Sequence, residues 1–211
     1  MLQNFVKIFT SQNKSIISDL FYAMNCNITQ CGGCGIQTFN YQTYFFIVFP
    51  LEEVRKFKYN QFNNNMVNIY DCFDYHKKIN IMSGANSMYC KYCKRNCNSS
   101  MCTLLTTGPE ILILLLNRGK GIEFNIKILF TEDLNLLNYI QLNNTGFNYK
   151  LIGVISHIGE NKTGGYFIAY CKDPISKEWH KYNDSIVTAV SNFQNEVISQ
   201  GMPCLLFYQK I

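Results

Sequence analysis

Two pairs of cysteines carry the spacing best able to do chemistry, Cys31-Gly32-Gly33-Cys34 and Cys90-Lys91-Tyr92-Cys93. In a C-x2-C turn two thiolates converge while backbone amides face the sulfurs. Two such knuckles therefore supply the four soft ligands of one tetrahedral, structural Zn2+ site. Gly32 and Gly33 suit the tight turn that this requires. The knuckles lie further apart than in a compact zinc ribbon, so a shared zinc demands that the intervening chain double back, as the tips of two adjacent hairpins do. The alternative is two unrelated turns with free thiols, and Cys97 and Cys102 are placed to compete as ligands. Cys26, Cys72, Cys171 and Cys204 sit among apolar or aromatic neighbours, where cysteine acts as a small core residue.

The chain of 211 residues, 47% hydrophobic and 15% aromatic, can bury a sizeable core in one large domain or two small lobes. A formal charge of +5 comes from scattered lysines and not from a basic block, so nucleic acid is not an expected partner. The longest apolar run, Ile111 to Leu116, is far short of the ~20 residues of a membrane span, so no membrane partner is expected. Met1 to Lys14 shows no apolar core before a small-residue cleavage site, and the expectation is an intracellular protein, cytoplasmic or nuclear. In that compartment ten cysteines are thiols or metal ligands before they are disulfides. The triplets Asn27-Ile28-Thr29 and Asn161-Lys162-Thr163 then read as chance in an Asn-rich chain.

Ser15 to Tyr22 suggests a short helix leading into the first knuckle, and Phe39 to Phe49 an aromatic strand pair closed by Pro50. Leu51 to Lys58 reads as a charged connector, Asn60 to Asn68 as a loop and Ile69 to Ile79 as a helix. Beyond Pro109 the pattern is β: Ile111 to Asn117, Glu123 to Phe130, Tyr149 to His157, Gly165 to Cys171, Glu178 to Asn183, Ile186 to Val190 and Leu205 to Gln209. Ser191 to Gln200 reads as a helix with Ser191 as N-cap and Gly201 just past its end. No linker divides the knuckle zone from the later sheet.

Several pieces in this order resemble one family, the ubiquitin-specific proteases. They are Ile17-Ser18-Asp19-Leu20-Phe21 before the first knuckle, Phe45 to Leu51, the second knuckle, and Pro109-Glu110-Ile111-Leu112 through Arg118. Next come Tyr149 to Gly159, Gly164-Gly165-Tyr166-Phe167-Ile168-Ala169-Tyr170, Trp179 to Asp184 and Leu205-Leu206-Phe207-Tyr208. The resemblance spans nearly the whole chain. It implies an α+β, papain-like fold with a mostly antiparallel β palm and zinc-knuckle fingers, the thumb being largely absent. Residues 1–211 are then a partial domain, with 15–108 forming fingers and connecting segments and 109–211 the palm. Cys31, Cys34, Cys90 and Cys93 become the ligands of a structural zinc.

Carried over position by position, the resemblance sets Tyr166 at the family's catalytic histidine and Asn183, with Asp184 beside it, at the residue that orients that histidine. A phenol ordinarily ionises near pH ~10 and is a poor general base at neutral pH. Gly164, Gly165 and Phe167 fall where the family's chain lines the narrow channel for the Gly-Gly end of ubiquitin, the bland alternative being a tight turn and a core ring. His157 matches a histidine the family carries besides the catalytic one, so a structural role is expected of it. His76 and His180 have no thiol partner suggested by the sequence. The family's nucleophile lies in a Gly-x-Thr/Ser-Cys-aromatic-x-Asn box, which this sequence lacks. The resemblance thus implies a pseudoenzyme that holds ubiquitin or a ubiquitinated protein without cleaving isopeptide bonds, with a partner chain over the missing thumb face. The alternatives are an active deubiquitinase whose nucleophile box lies in a longer product, and a zinc-stabilised interaction module.

Overall fold

The computed structural model describes residues 15–59, 65–119, 122–141, 147–159, 164–199 and 201–211. Helix α1 (Ile16–Phe21) is opened by Ser15, whose hydroxyl accepts from the Ser18 amide while Ser18 reaches back to the Ser15 amide. It leads into β1 (Ala23–Cys31), which turns through the first knuckle into β2 (Gln37–Tyr44). β3 (Ile47–Pro50), α2 (Leu51–Lys58), β4 (Met66–Asn68), α3 (Ile69–His76) and β5 (Asn80–Met82) follow. The second knuckle is the turn between β6 (Met88–Cys90) and β7 (Arg95–Cys97), after which β8 (Ser99–Leu105) returns beside β1. These strands build an antiparallel sheet of order β2-β1-β8-β5.

The second half supplies β9 (Ile111–Asn117), β10 (Lys127–Leu129), β11 (Asp133–Asn135), β12 (Asn148–Ile158), β13 (Tyr166–Lys172), β14 (Trp179–Asn183), β15 (Ile186–Ala189) and β16 (Met202–Lys210). All of these but β10 join β3 in an eight-stranded sheet of order β15-β14-β13-β12-β16-β9-β3, with β11 also on β12. β3 joins it parallel to β9, so the first half of the chain is stitched into the second. A short parallel pair, β4 with β10, does the same.

The main core lies between this sheet and the helices α2 and α3. Leu112, Leu114 and Leu116 of β9 are buried while Ile111, Ile113 and Leu115 are only half-buried, the alternation of a strand with two unequal faces. Phe49 from β3 is fully buried and packs edge-on against Phe73 of α3, ring centroids 5.0 Å apart. Arg118, buried at the end of β9, donates to the carbonyls of Pro203 (2.9 Å), Phe124 (3.0 Å) and Ile126 (2.7 Å), pinning β16 and the approach to β10.

Several expectations are corrected. Leu51–Lys58 is a helix and not a connector: Leu51, Val54 and Arg55 bury one face, and Glu52 binds Arg55 through two bonds of 2.9 Å. Phe39 to Phe49 is not a strand pair with itself. β2 pairs with β1, a strand the polar sequence Ala23–Cys31 concealed, and the chain then changes sheets at Phe45-Phe46. Met66–Asn68 is a strand within the expected loop, whose Asn60–Asn64 portion lies outside the described residues. The expected strand from Glu123 shrinks to Lys127–Leu129 behind a 3-10 turn. Ser191 caps no helix, because its amide and hydroxyl bond Glu196 (3.0 and 2.9 Å) and only a π-turn, Gln194–Ser199, forms. Cys171 is exposed, unlike Cys26 and Cys72, which are core residues as expected.

Because Phe49 has no exposed surface and touches the helix layer, Phe49→Ala is expected to cost about 3–5 kcal/mol. Urea unfolding of the two proteins, compared at equal slope, measures it.

Candidate functional site

The register of β1 with β8 sets Cys31 opposite Ser99 and thereby carries the first knuckle to the second. The two turns are copies of one another. Gly35 donates to Cys31 O and Lys94 to Cys90 O, both at 2.8 Å, and both donors have positive φ, 72° and 58°. The Gly33 amide faces the Cys31 sulfur at 3.3 Å and the Cys93 amide the Cys90 sulfur at 3.4 Å. Asn98 O accepts the Gly32 amide at 2.7 Å, locking one knuckle to the other, and a side chain at Gly32 would collide with that carbonyl.

The sulfurs of Cys31, Cys34, Cys90 and Cys93 all lie within 4.8 Å of one another, with Cys31 to Cys93 at 3.9 Å and Cys34 to Cys90 at 3.7 Å. A tetrahedral ion with metal–sulfur bonds of ~2.3 Å requires sulfurs about 3.8 Å apart, so the four residues fit one metal ion. Amides of Cys34 and Gly33 pull the Cys31 thiol down to about 6, whereas the neighbouring sulfurs push the Cys93 thiol up, so that one thiolate forms readily and the others resist ionising beside it. Cys97 packs beside Cys31 and Cys90, its sulfur bonded to Arg95 O at 3.7 Å, and is not one of the four converging sulfurs. Cys102 sits on β8 opposite Ile28, outside the cluster.

The second candidate site lies where β12 turns into β13. Tyr166 opens β13 opposite Ile158 and is 49% exposed. Alternation puts Tyr166 on the face of Ile168 and Tyr170, both buried. The β13–β14 ladder, continued one step beyond Ala169 opposite Tyr182, brings Asn183 to the same face beside Ile168. Asp184 follows with φ 51° in the tight turn into β15. Trp179 anchors the start of β14. Its ring lies 4.6 Å from Phe193 and its Nε1 donates to Glu132 at 3.4 Å, the same carboxylate that pairs with Lys172 at 2.6 Å. Glu132 was not singled out from sequence, since its partners come from β13 and β14.

His157 occupies the other face. It pairs with Phe167, is nearly buried, and its ring is held edge-on between Phe124 (5.3 Å) and Phe167 (5.2 Å). Its Nδ1 has no partner among the described residues. Gly165, at φ 125°, rests on this imidazole: an added Cβ would come within 2.7 Å of Cε1 and 2.8 Å of Nε2 and would strike Ile158 O. The glycine is therefore demanded by the chain's own packing, whatever else passes there. Phe167 is 62% exposed, so it is not a core ring. Cys171, on the same strand as Tyr166, projects to the opposite face, and burial of its sulfur pushes the thiol up. His76 packs edge-on against Phe49, and burial lowers its pKa; His180 lies in β14 opposite Cys171.

A family model described as ubiquitin carboxyl-terminal hydrolase matches residues 2–208. The chain belongs to the ubiquitin carboxyl-terminal hydrolase family. It is 26% identical over 210 residues to ubiquitin carboxyl-terminal hydrolase Usp2 of Drosophila melanogaster, covering 96% of this chain and 21% of that one. With ubiquitin carboxyl-terminal hydrolase 2 of Gallus gallus the identity is 28% over 207 residues, covering 95% and 55%. The fold matches a SAGA DUB module structure of Ubp8, Sgf11, Sus1 and Sgf73 bound to monoubiquitin, with a TM-score of 0.74, 23% identity, and coverage of 100% of this chain and 46% of that one. The chain thus spans about half or less of these relatives. The hydrolase fold is mostly β with few helices, in line with the α+β, papain-like expectation, and its four-cysteine cluster is built to take a metal ion.

Gly165→Ala forces a side chain into the left-handed region and onto His157. It is expected to cost about 2 kcal/mol or more, read as a lowered denaturant midpoint.

Proposed function

We propose that this chain holds ubiquitin or a ubiquitinated protein without hydrolysing it, a pseudoenzyme on the ubiquitin-specific protease fold. The observation that carries this reading is Tyr166 at the histidine's place, with Asn183 on its face but no thiol there among the described cysteines. Nucleophile and base act as a unit in cysteine proteases, so a phenol without a facing thiolate has neither half of the proton transfer. His157 is no substitute, because the sheet stands between it and Tyr166. Gly164, Gly165 and Phe167 suit a narrow channel for a Gly-Gly tail, Gly165 letting the strand lie close over His157 and Phe167 offering a flat exposed wall.

The four cysteines hold a structural zinc, supported by the sulfur spacing. Residues 15–108 act as fingers with connecting segments and 109–211 as the palm, although β3 and β4 of the first part are built into the second. Near the tail channel Tyr166, Phe167, Tyr182, Ile186 and Val187 are all exposed, an apolar rim suited to a partner chain. Among the described residues no helix is long and apolar enough to cross a membrane, and all ten cysteines are free, which fits an intracellular compartment. A second reading, an active enzyme whose nucleophile belongs to a longer product, is favoured by the 46% coverage of the solved relative and opposed by Tyr166.

Ubiquitin carrying a C-terminal electrophile is expected to leave the chain unlabelled, and Tyr166→His alone is expected not to restore labelling. Stoichiometric adduct at one cysteine, found by mass spectrometry, overturns the reading. Ubiquitin titration should give weak affinity, about ten micromolar or weaker, since the residues given span only 46% of the solved relative; submicromolar binding to a stable monomer refutes this. Elemental analysis should find one zinc per chain, with Cys90→Ser or a chelator loosening the knuckles while the eight-stranded sheet persists. A fully folded, metal-free protein sinks the zinc assignment.

A further inference from the structure

The charge of the chain is unevenly placed. Residues 20–51 and 75–109, which contain both knuckles and every strand of the four-stranded sheet, hold no Asp or Glu and five cations, Lys77, Lys78, Lys91, Lys94 and Arg95. Those five equal the whole formal charge of +5, so the remainder of the chain is balanced. Two of them are engaged just past α3: Lys77 lies 4.8 Å from the centre of the Tyr139 ring and Lys78 3.7 Å from that of Tyr75. The other three share the turn of the second knuckle. They are exposed, and among the described residues none of them makes an ion pair. Four thiolates on a divalent ion would total −2, still fewer than these three cations.

In the same turn the two hairpin tips enclose a cleft of about 230 Å³. Ile36 and Thr38 line it from the first hairpin, and Met88, Tyr89, Lys91 and Tyr92 from the second. Its rings are open to water, Tyr89 being 65% and Tyr92 54% exposed, and Ile36 and Met88 are exposed by more than a third. Size narrows the class of occupant. Sites for drug-sized molecules begin at about 300 Å³, whereas this cleft has room for one bulky apolar side chain. Methionine gives it a wall that adapts, and the tyrosines present apolar bodies with hydroxyls left in water. Nucleic acid suits it less, because a phosphate backbone is tracked by a longer row of cations than three in one turn.

We propose that the knuckle tip docks an acidic peptide segment of a partner protein. One aromatic or aliphatic side chain of that segment enters the cleft, and its flanking carboxylates meet Lys91, Lys94 and Arg95. Charge complementarity sets the sign of the partner, and the exposed rings set its anchor. Both hairpins contribute walls, so the cleft exists only while the knuckles stay together. The inference rests on that pairing and not on ubiquitin binding or on Tyr166.

Fluorescence anisotropy on the full chain tests it, with a labelled synthetic peptide that has one phenylalanine between two runs of three glutamates. Binding at about 10–100 μM is expected, the range of a small interface, weakening as salt is raised. Peptides with glutamine for glutamate, or with alanine for phenylalanine, should each bind about tenfold more weakly. Lys91→Glu and Tyr89→Ser, both at exposed positions, should each lose about fivefold, whereas Lys127→Glu, the same change of net charge on β10, should stay within about twofold. Circular dichroism and zinc content show that each variant keeps its fold and its knuckles, and the peptide series on the unaltered protein decides even where a variant does not. No binding up to about 1 mM, equal binding of the glutamate and glutamine peptides, an equal loss in Lys127→Glu, or tighter binding of a single-stranded oligonucleotide of the same charge overturns the inference.

Discussion

Strand β12 must satisfy hydrogen-bonding groups on both edges along eleven residues, and much of the molecule is arranged by how it does so. β16 and β13 flank it, and β11 takes up its first residues. Tyr149 and Leu151 are buried on one face and, past the bulge between Leu151 and Gly153, Val154 is buried too, so a slip of one residue would turn this apolar set outward. That register decides which residues meet at its far end. Ile158 faces Tyr166, His157 faces Phe167, and the glycines between let the chain close over the imidazole.

The consequence for chemistry is a division by face. Tyr166 and Asn183 share one side of the sheet, and His157 and Phe167 the other. A histidine one residue away in the ladder is thus remote in function, because neighbouring residues on a strand point in opposite directions. Nothing in the packing of Tyr166 forces a phenol there. Its exposure means that the position is free to change without disturbing the core, whereas His157, wedged between two rings under Gly165, is not.

The knuckle sheet obeys a different constraint. Its strands are polar on one face, where Asn27 bonds Gln42 at 3.1 Å and accepts from Thr103 at 2.7 Å, and they bury little. Paired knuckles at its tip compensate for that thin core. The four converging sulfurs could hold a metal ion, which would relieve their mutual repulsion as they ionise.

By itself the sequence determined which four cysteines could share a metal ion, the family and most strands of the large sheet, because C-x2-C spacing, ordered motifs and apolar alternation are local signals. It also drew attention to Tyr166, within the Gly164 to Tyr170 segment. Tertiary structure decided what local pattern cannot encode. Leu51–Lys58 became helical because Leu51 and Val54 found a core to bury in, and the polar run Ala23–Cys31 became a strand because β8 and β2 lie on its two sides. The place of Cys97 outside the four-sulfur cluster and the rings that hold His157 depend on pairings between segments far apart in the chain. Such pairings are set by long-range packing, which no short window of sequence contains.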